Sequence, residues 1–205
     1  MQPRDAKAAV ARPSTRDRLS VEAARLFAER GYHGTSVNDL AVALGIHKSS
    51  LYAYISSKED LLAEIALTGA AAFHSALDEV PESAAPGERL QLALRAHLGV
   101  VEGQLDVATV WLQEWRYLTG DYRALFIKER HRYEQRVRNV LEAAVESGDL
   151  RKDLDLAYST LAFLSIANWA YTWFAADTDV DLVTAEFLSI LLRGIGTQGA
   201  PGLRG

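Results

Sequence analysis

Cysteine is absent, so the chain has no disulfide framework, no thiolate metal site and no cysteine nucleophile. Five prolines and fourteen glycines among 205 residues are too few for a collagen-like or low-complexity polymer. The five histidines, His33, His47, His74, His97 and His131, are scattered without metal-ligand spacing. No G-x-S-x-G, no H-E-x-x-H and no glycine-rich phosphate loop occurs, which leaves catalysis without a recognisable constellation. The segment from Met1 to Thr15 has no apolar core of signal-peptide length, and a cytoplasmic location is expected.

Leu156 to Ala176 runs for 21 residues without a formal charge, which matches the length of a bilayer span. It contains Ser159, Thr160, Ser165, Asn168 and Thr172, and Asp155 and Asp177 flank it with no lysine or arginine bias. The better reading is a soluble helix buried from two directions, against its own core and a second subunit. No membrane partner is expected.

What remains is an ordinary globular composition, 49% hydrophobic and 24% charged. The net charge of −5 argues against a polyanionic partner, but its distribution argues otherwise. Residues 1–60 hold nine Lys or Arg against seven Asp or Glu, a balance of +2, whereas residues 61–205 hold thirteen against twenty, a balance of −7. A small segment compatible with an anion is joined to an acidic one with a different task. The boundary is set at residue 60.

Helical periodicity runs almost everywhere and strand-like alternation nowhere, so the fold class is all-α. A first helix is expected over 16–30, with Leu19, Ala23, Leu26 and Phe27 as its buried stripe and Gly31 at its end. A second runs from Val37 to Leu44, capped by Thr35 or Ser36 and stopped by Gly45; a third covers His47 to Tyr54. Ser56 with Glu59, or Ser57 with Asp60, opens a fourth that reaches about Glu79. After a loop from Pro81 to Gly87, helices are expected at 88–104, 106–119, 121–147, 154–176 and 180–195.

Two short helices joined by a glycine turn, the second rich in small polar and basic residues, form the pattern of a helix-turn-helix DNA reader. Val37, Leu40, Ala41 and Leu44 supply the inward stripe of the first, and Ile46 and Leu51 anchor the second. Lys48, Ser49, Ser50, Tyr52 and Tyr54 have suitable donors for base edges and phosphates. Lys58 adds a cation at a helix N-terminus.

From Gly31 to Leu62 the chain resembles the DNA-binding domain of TetR-family transcriptional regulators. The resemblance is carried by Gly31 and Tyr32, Thr35 to Val37, Asp39 to Ala41, Gly45 and Ile46, Lys48, Leu51 and Tyr52, Tyr54, and Ser57 to Glu59 with Leu62. It implies that Lys48, Ser49, Ser50 and Tyr52 face the major groove, with Thr35, Ser36, Tyr54 and Lys58 on phosphates. His47 stands where the family usually has Ser or Thr, and either contacts the DNA or weakens the cap. Arg4, Lys7, Arg12 and Arg16 form either a DNA-contacting arm or a solvated tail. The remaining helical length agrees with the family's ligand-binding and dimerisation domain, whose last two helices pair across a two-fold axis. Two reading heads then imply a palindromic double-stranded DNA operator.

Within that second segment, Glu114 interrupts the apolar stripe Val107, Val110, Trp111, Trp115 and Leu118, and a carboxylate there requires a partner. Arg130 or Arg123 is the expected partner, either as a structural ion pair or as a device that orients a ligand. Phe73, Trp111, Glu114, Trp115, Arg130, Tyr133, Trp169 and Trp173 are the candidate effector-binding residues, although core packing accounts for most aromatics equally well. The E-W-R-Y-L segment and the following helix with Lys128, Arg130, Arg132, Arg136 and Arg138 resemble TetR-family regulators that sense acyl-CoA thioesters and control fatty-acid, phenylacetate or steroid breakdown. The expected function is a homodimeric repressor released by a small, largely apolar effector and using no cofactor or metal. A drug, fatty acid or aromatic effector is the alternative, and a small all-α enzyme or an interaction module the remote ones.

Overall fold

The computed structural model describes residues 14–193, and every regular element among them is helical. Three capping boxes fix the N-terminal segment. Ser14 and Asp17 open α1 (Thr15–Arg30), Ser36 and Asp39 open α2 (Val37–Leu44), and Ser57 and Asp60 open α4 (Lys58–Asp78). In each box the serine hydroxyl and the carboxylate satisfy backbone N–H groups that the helix start leaves free. Gly45 reverses the chain after α2 in the left-handed conformation, at φ 69°, that a side chain would disfavour. The third helix, α3 (Lys48–Leu51), follows, with His47 at its cap and no side-chain hydrogen bond there.

The second segment comprises α5 (Pro86–Gly103), α6 (Leu105–Leu112), α7 (Gly120–Ser147), α8 (Leu156–Asn168) and α9 (Val180–Arg193). Pro86 occupies the first turn of α5, where its missing N–H costs nothing, so this helix begins two residues before the expected start. Two expected helices break. The one expected over 106–119 ends at Leu112 and continues as a 3₁₀ turn, Glu114–Tyr117; the one expected over 154–176 ends at Asn168 and continues as another, Trp169–Thr172. The second break falls in the run W-A-Y-T-W-F, where aromatic and β-branched residues weaken an α-helix. At 13 residues, α8 is too short to span a bilayer, and no helix among the described residues is long and apolar enough to do so.

The long helix α4 packs against α1, α5, α6 and α7, and one hydrophobic core runs from Leu19 to Val180 through Leu62, Phe73, Leu94, Trp111 and Phe126. The boundary expected at residue 60 therefore lies inside a continuous helix. Gly69 lets α6 come close: a Cβ there would stand 2.8 Å from Trp111 Cβ. On the far side, Tyr158, Leu161, Trp169, Leu182 and Leu192 of α8, its 3₁₀ extension and α9 are each at least half exposed.

Candidate DNA-reading face and effector cavity

The reading face is held from beneath. Leu51 and Ile55 are buried, and Leu40, Ala41 and Leu44 seat α2 on the same core. Outward stand Ser36, His47, Lys48, Ser49, Ser50, Tyr52 and Tyr54, all exposed. Lys48 makes no ion pair among the described residues, so its ammonium is available to an external anion. Hydroxyls, a cation and two phenols on one convex face suit backbone positioning and base-edge contact.

Two residues expected on phosphates face inward instead. Thr35 is completely buried and its hydroxyl donates to the Leu26 and Gly31 carbonyls, both at 3.1 Å. Lys58 Nζ donates to the Tyr32 and Thr35 carbonyls at 2.7 and 2.8 Å and lies 4.0 Å above the Tyr32 ring, and burial lowers its pKa. Both hold the turn between α1 and α2. Arg16 also leaves the expected arm: it belongs to α1, donates to the Tyr54 carbonyl and pairs with Glu64. Arg4, Lys7 and Arg12 lie outside the described residues.

The expected effector residues divide into three groups. Phe73, Trp111 and Tyr133 meet in the core, with Phe73 5.9 Å from Trp111 and 5.8 Å from Tyr133 between ring centroids. His97 of α5 completes this box; its ring lies 4.6 Å from Phe73 and its Nδ1 3.0 Å from the Tyr133 hydroxyl. Burial holds the imidazole neutral, its pKa pushed down to about 3, and pushes the Tyr133 phenol up. His97 was missed from sequence, although it continues the stripe Leu90, Ala93, Leu94, Leu98 and Val101 that marks the buried face of α5.

The second group lies outside the box. Trp111 and Tyr133 also line a cavity of about 30 Å³ with Leu112, Arg130, Glu134, Leu164 and Asn168. Next to it a cleft of about 320 Å³ is lined by Trp115, Ile127, Arg130, His131 and Glu134. Arg130 lies 4.7 Å over the Trp115 ring, Trp115 stacks on Phe126 at 5.2 Å, and burial lowers the guanidinium pKa. Among the described residues no ion pair involves Arg130. A wider concavity of about 450 Å³ between α4 and α5 includes no residue of the aromatic box.

The third group departs from expectation. Glu114 is buried, yet neither Arg130 nor Arg123 neutralises it, since both arginines sit over Trp115. Its Oε2 accepts from the Tyr32 backbone N–H at 2.6 Å, so the carboxylate joins the 3₁₀ turn to the end of α1. Around it Tyr117 stacks on Tyr32, Glu59 accepts from Thr119, and Asp60 accepts from Tyr122. Trp169 and Trp173 are 63% and 41% exposed, so they belong to the outer apolar strip; Trp173 packs on Phe187.

Known proteins agree with this architecture. Residues 21–65 match the family model of bacterial regulatory proteins, tetR family, and residues 83–195 match that of the tetracyclin repressor-like C-terminal domain. The HTH-type transcriptional repressor KstR2 of Mycobacterium tuberculosis is 31% identical over 192 residues, 91% of this chain and 95% of that protein. Among solved structures, the TetR-family regulator PfmR from Thermus thermophilus is 36% identical with a TM-score of 0.80, covering 88% of this chain and 100% of that one. AibR, in complex with isovaleryl coenzyme A and operator DNA, is 29% identical with a TM-score of 0.80, covering 87% and 98%. The chain belongs to the TetR family of bacterial helix-turn-helix transcriptional repressors, joining a DNA-binding domain to a C-terminal ligand-binding domain.

Proposed function

We propose that the protein is a homodimeric repressor that grips a palindromic operator with two copies of the α3 face and lets go when an acyl-CoA thioester enters the cleft beside Trp115. The observation that carries the effector reading is Arg130, a half-buried guanidinium with an aromatic face beneath it that makes no ion pair among the described residues, Glu134 of the same cleft being the carboxylate whose charge acts on it. A desolvated cation of this kind favours an anionic ligand group, while Trp115 and Ile127 offer an apolar surface to an acyl chain beside His131 and Glu134. AibR, of similar fold and sequence, was crystallised with isovaleryl-CoA and operator together, which supports the ligand class. The exposed strip of α8 and α9 supports a two-fold dimer.

The coupling route follows from the same geometry. Trp115 lines the cleft, and Glu114 beside it holds Tyr32 of the reading domain. A ligand that displaces the 3₁₀ turn must disturb the Tyr32 contact and so favours a domain orientation whose two α3 helices no longer match the half-site spacing.

The test is a fluorescence-anisotropy titration with the DNA immediately upstream of the gene, at two salt concentrations, with and without a set of acyl-CoAs. Salt-sensitive binding released by one acyl-CoA is the expected result. Binding unaffected by every acyl-CoA removes the CoA reading and turns the search to fatty acids, drugs or aromatics. Arg130→Met should weaken the responsive acyl-CoA while leaving operator affinity in place.

A further inference from the structure

Among the described residues, three side-chain nitrogens are sealed from solvent without a hydrogen-bond partner: His74 Nε2, Arg89 Nε and His97 Nε2. His74 Nε2 has Glu129 Oε2 at 3.4 Å, and the Arg89 side chain is only partly buried. His97 differs from both, at 1% exposure with rings around it.

Its tautomer can be worked out from the count of satisfied groups. A neutral imidazole carries one N–H, and Nδ1 is bonded to the Tyr133 hydroxyl. If Tyr133 donates, the phenol proton and the Nδ1 lone pair are both used, and only Nε2–H is left over. If Nδ1–H donates instead, the phenol proton and the Nε2 lone pair are both left over. Unsatisfied buried groups are costly, so the first arrangement is favoured and His97 presents a neutral Nε2–H donor within a packed cluster of aromatic rings.

Proteins rarely keep such a donor idle. Trp111 and Tyr133 belong both to the ring cluster and to the wall of the cavity of about 30 Å³, which is of the size that holds water. Leu112 and Asn168, which line that cavity, are the residues at which α6 and α8 pass towards 3₁₀ turns. That cavity lies on the side of the ring cluster nearest Arg130, and it is the side from which a ligand would reach His97.

We propose that His97 is the specificity residue of the effector site: its Nε2–H receives a carbonyl oxygen of the ligand between the Phe73, Trp111 and Tyr133 rings, with Tyr133 fixing the tautomer. The ligand class so selected is an apolar thioester or ketone. A hydrocarbon would leave the donor unpaired, and an ammonium would bring a second donor to it. This inference rests on the C-terminal effector reading above, but it does not require coenzyme A.

The experiment uses the full chain in three arms. Nitrogen-15 NMR of histidine-labelled protein should show His97 protonated on Nε2; protonation on Nδ1 overturns the proposal. Calorimetric titration then compares isovaleryl-CoA with its thioether analogue, in which CH₂ replaces the carbonyl. Wild type should prefer the thioester by about tenfold, the value of one net hydrogen bond. The double variant His97→Phe, Tyr133→Phe, which keeps the rings and removes both polar groups, should bind the two alike with an unchanged melting temperature. His97→Gln, with an amide N–H of similar reach, should restore part of the preference. Equal binding of the pair by wild type, or an undiminished preference in a folded double variant, overturns the proposal. If neither CoA compound binds, the CoA reading fails, and a methyl ketone against its methylene isostere decides the carbonyl question by the same criterion, with no preference for the ketone refuting it.

Discussion

Glu114 and Tyr32 stand 82 residues apart in sequence and share a 2.6 Å hydrogen bond from backbone N–H to buried carboxylate. The contact links the effector-side 3₁₀ turn to the end of α1. Glu114→Ala leaves the Tyr32 N–H without its acceptor and should cost about 1–3 kcal/mol of stability. Glu114→Gln keeps an acceptor and should cost less while blunting effector release of the operator. Urea unfolding and operator anisotropy on both variants check this, and an effector response unchanged in Glu114→Gln would remove the contact from the coupling route.

The reading face separates residues that touch DNA from those that hold the turn. Lys48→Ala should weaken operator binding, reduce the salt slope by about one and leave the melting temperature nearly unchanged. Tyr52→Ala should behave similarly apart from the salt slope. Thr35→Val should do the reverse, since it removes a buried hydroxyl that serves two carbonyls, and about 1–2 kcal/mol of stability should go with it. Salt-dependent binding curves beside melting curves distinguish the two classes.

Acid should destabilise the fold through His97. Its folded pKa of about 3 lies below the ordinary 6.5, so the unfolded chain takes up a proton that the folded chain refuses. The stability associated with the neutral ring is complete above pH 6.5 and is lost as the pH falls towards 3, at about 1.4 kcal/mol per pH unit. Burial and the Arg136 charge lower His74 as well, adding in the same direction. Urea unfolding at pH 7.5 and 5.5 should therefore show a loss of about 1–2 kcal/mol. The His97→Phe, Tyr133→Phe variant should flatten the slope, and an identical slope would place the titrating group elsewhere.

Leu161 and Trp169 lie on the exposed strip. Leu161→Glu or Trp169→Asp should give a monomer by analytical ultracentrifugation and reduce operator affinity sharply, because one reading head then works without its mate. A monomeric wild type would overturn the homodimer, and dimeric variants with full operator affinity would move its interface to another surface.

Much of the architecture was legible because local chemistry encodes it. Of the start and stop signals read from neighbouring residues, Ser36 and not Thr35 caps α2, Gly45 stops it, and Ser57 with Asp60, not Ser56 with Glu59, opens α4; the pairing of Ser36 with Asp39 was not read. What escaped the reading is what residue type does not encode. A threonine or lysine looks the same in sequence whether its donor serves a phosphate or a distant carbonyl, so Thr35 and Lys58 were placed on the wrong side of the turn. Glu114 appeared to need an arginine because a backbone amide, present at nearly every position, gives no sequence signal. The apolar stripes of α8 and α9 show burial without naming what buries them, which is how Trp169 and Trp173 came to be expected in a cavity. Neither 3₁₀ break shows in the apolar periodicity, and the second falls in the run W-A-Y-T-W-F, a propensity signal that periodicity does not record.

The recognition helix α3 has four residues and no side-chain cap at His47. That is far below the length at which a helix sustains itself, and its order is borrowed from Leu51 and Ile55 beneath it. Lys48, Ser49 and Ser50 are therefore set in place by the core beneath them, and a change at Leu51 or Ile55 moves the reading surface without touching it.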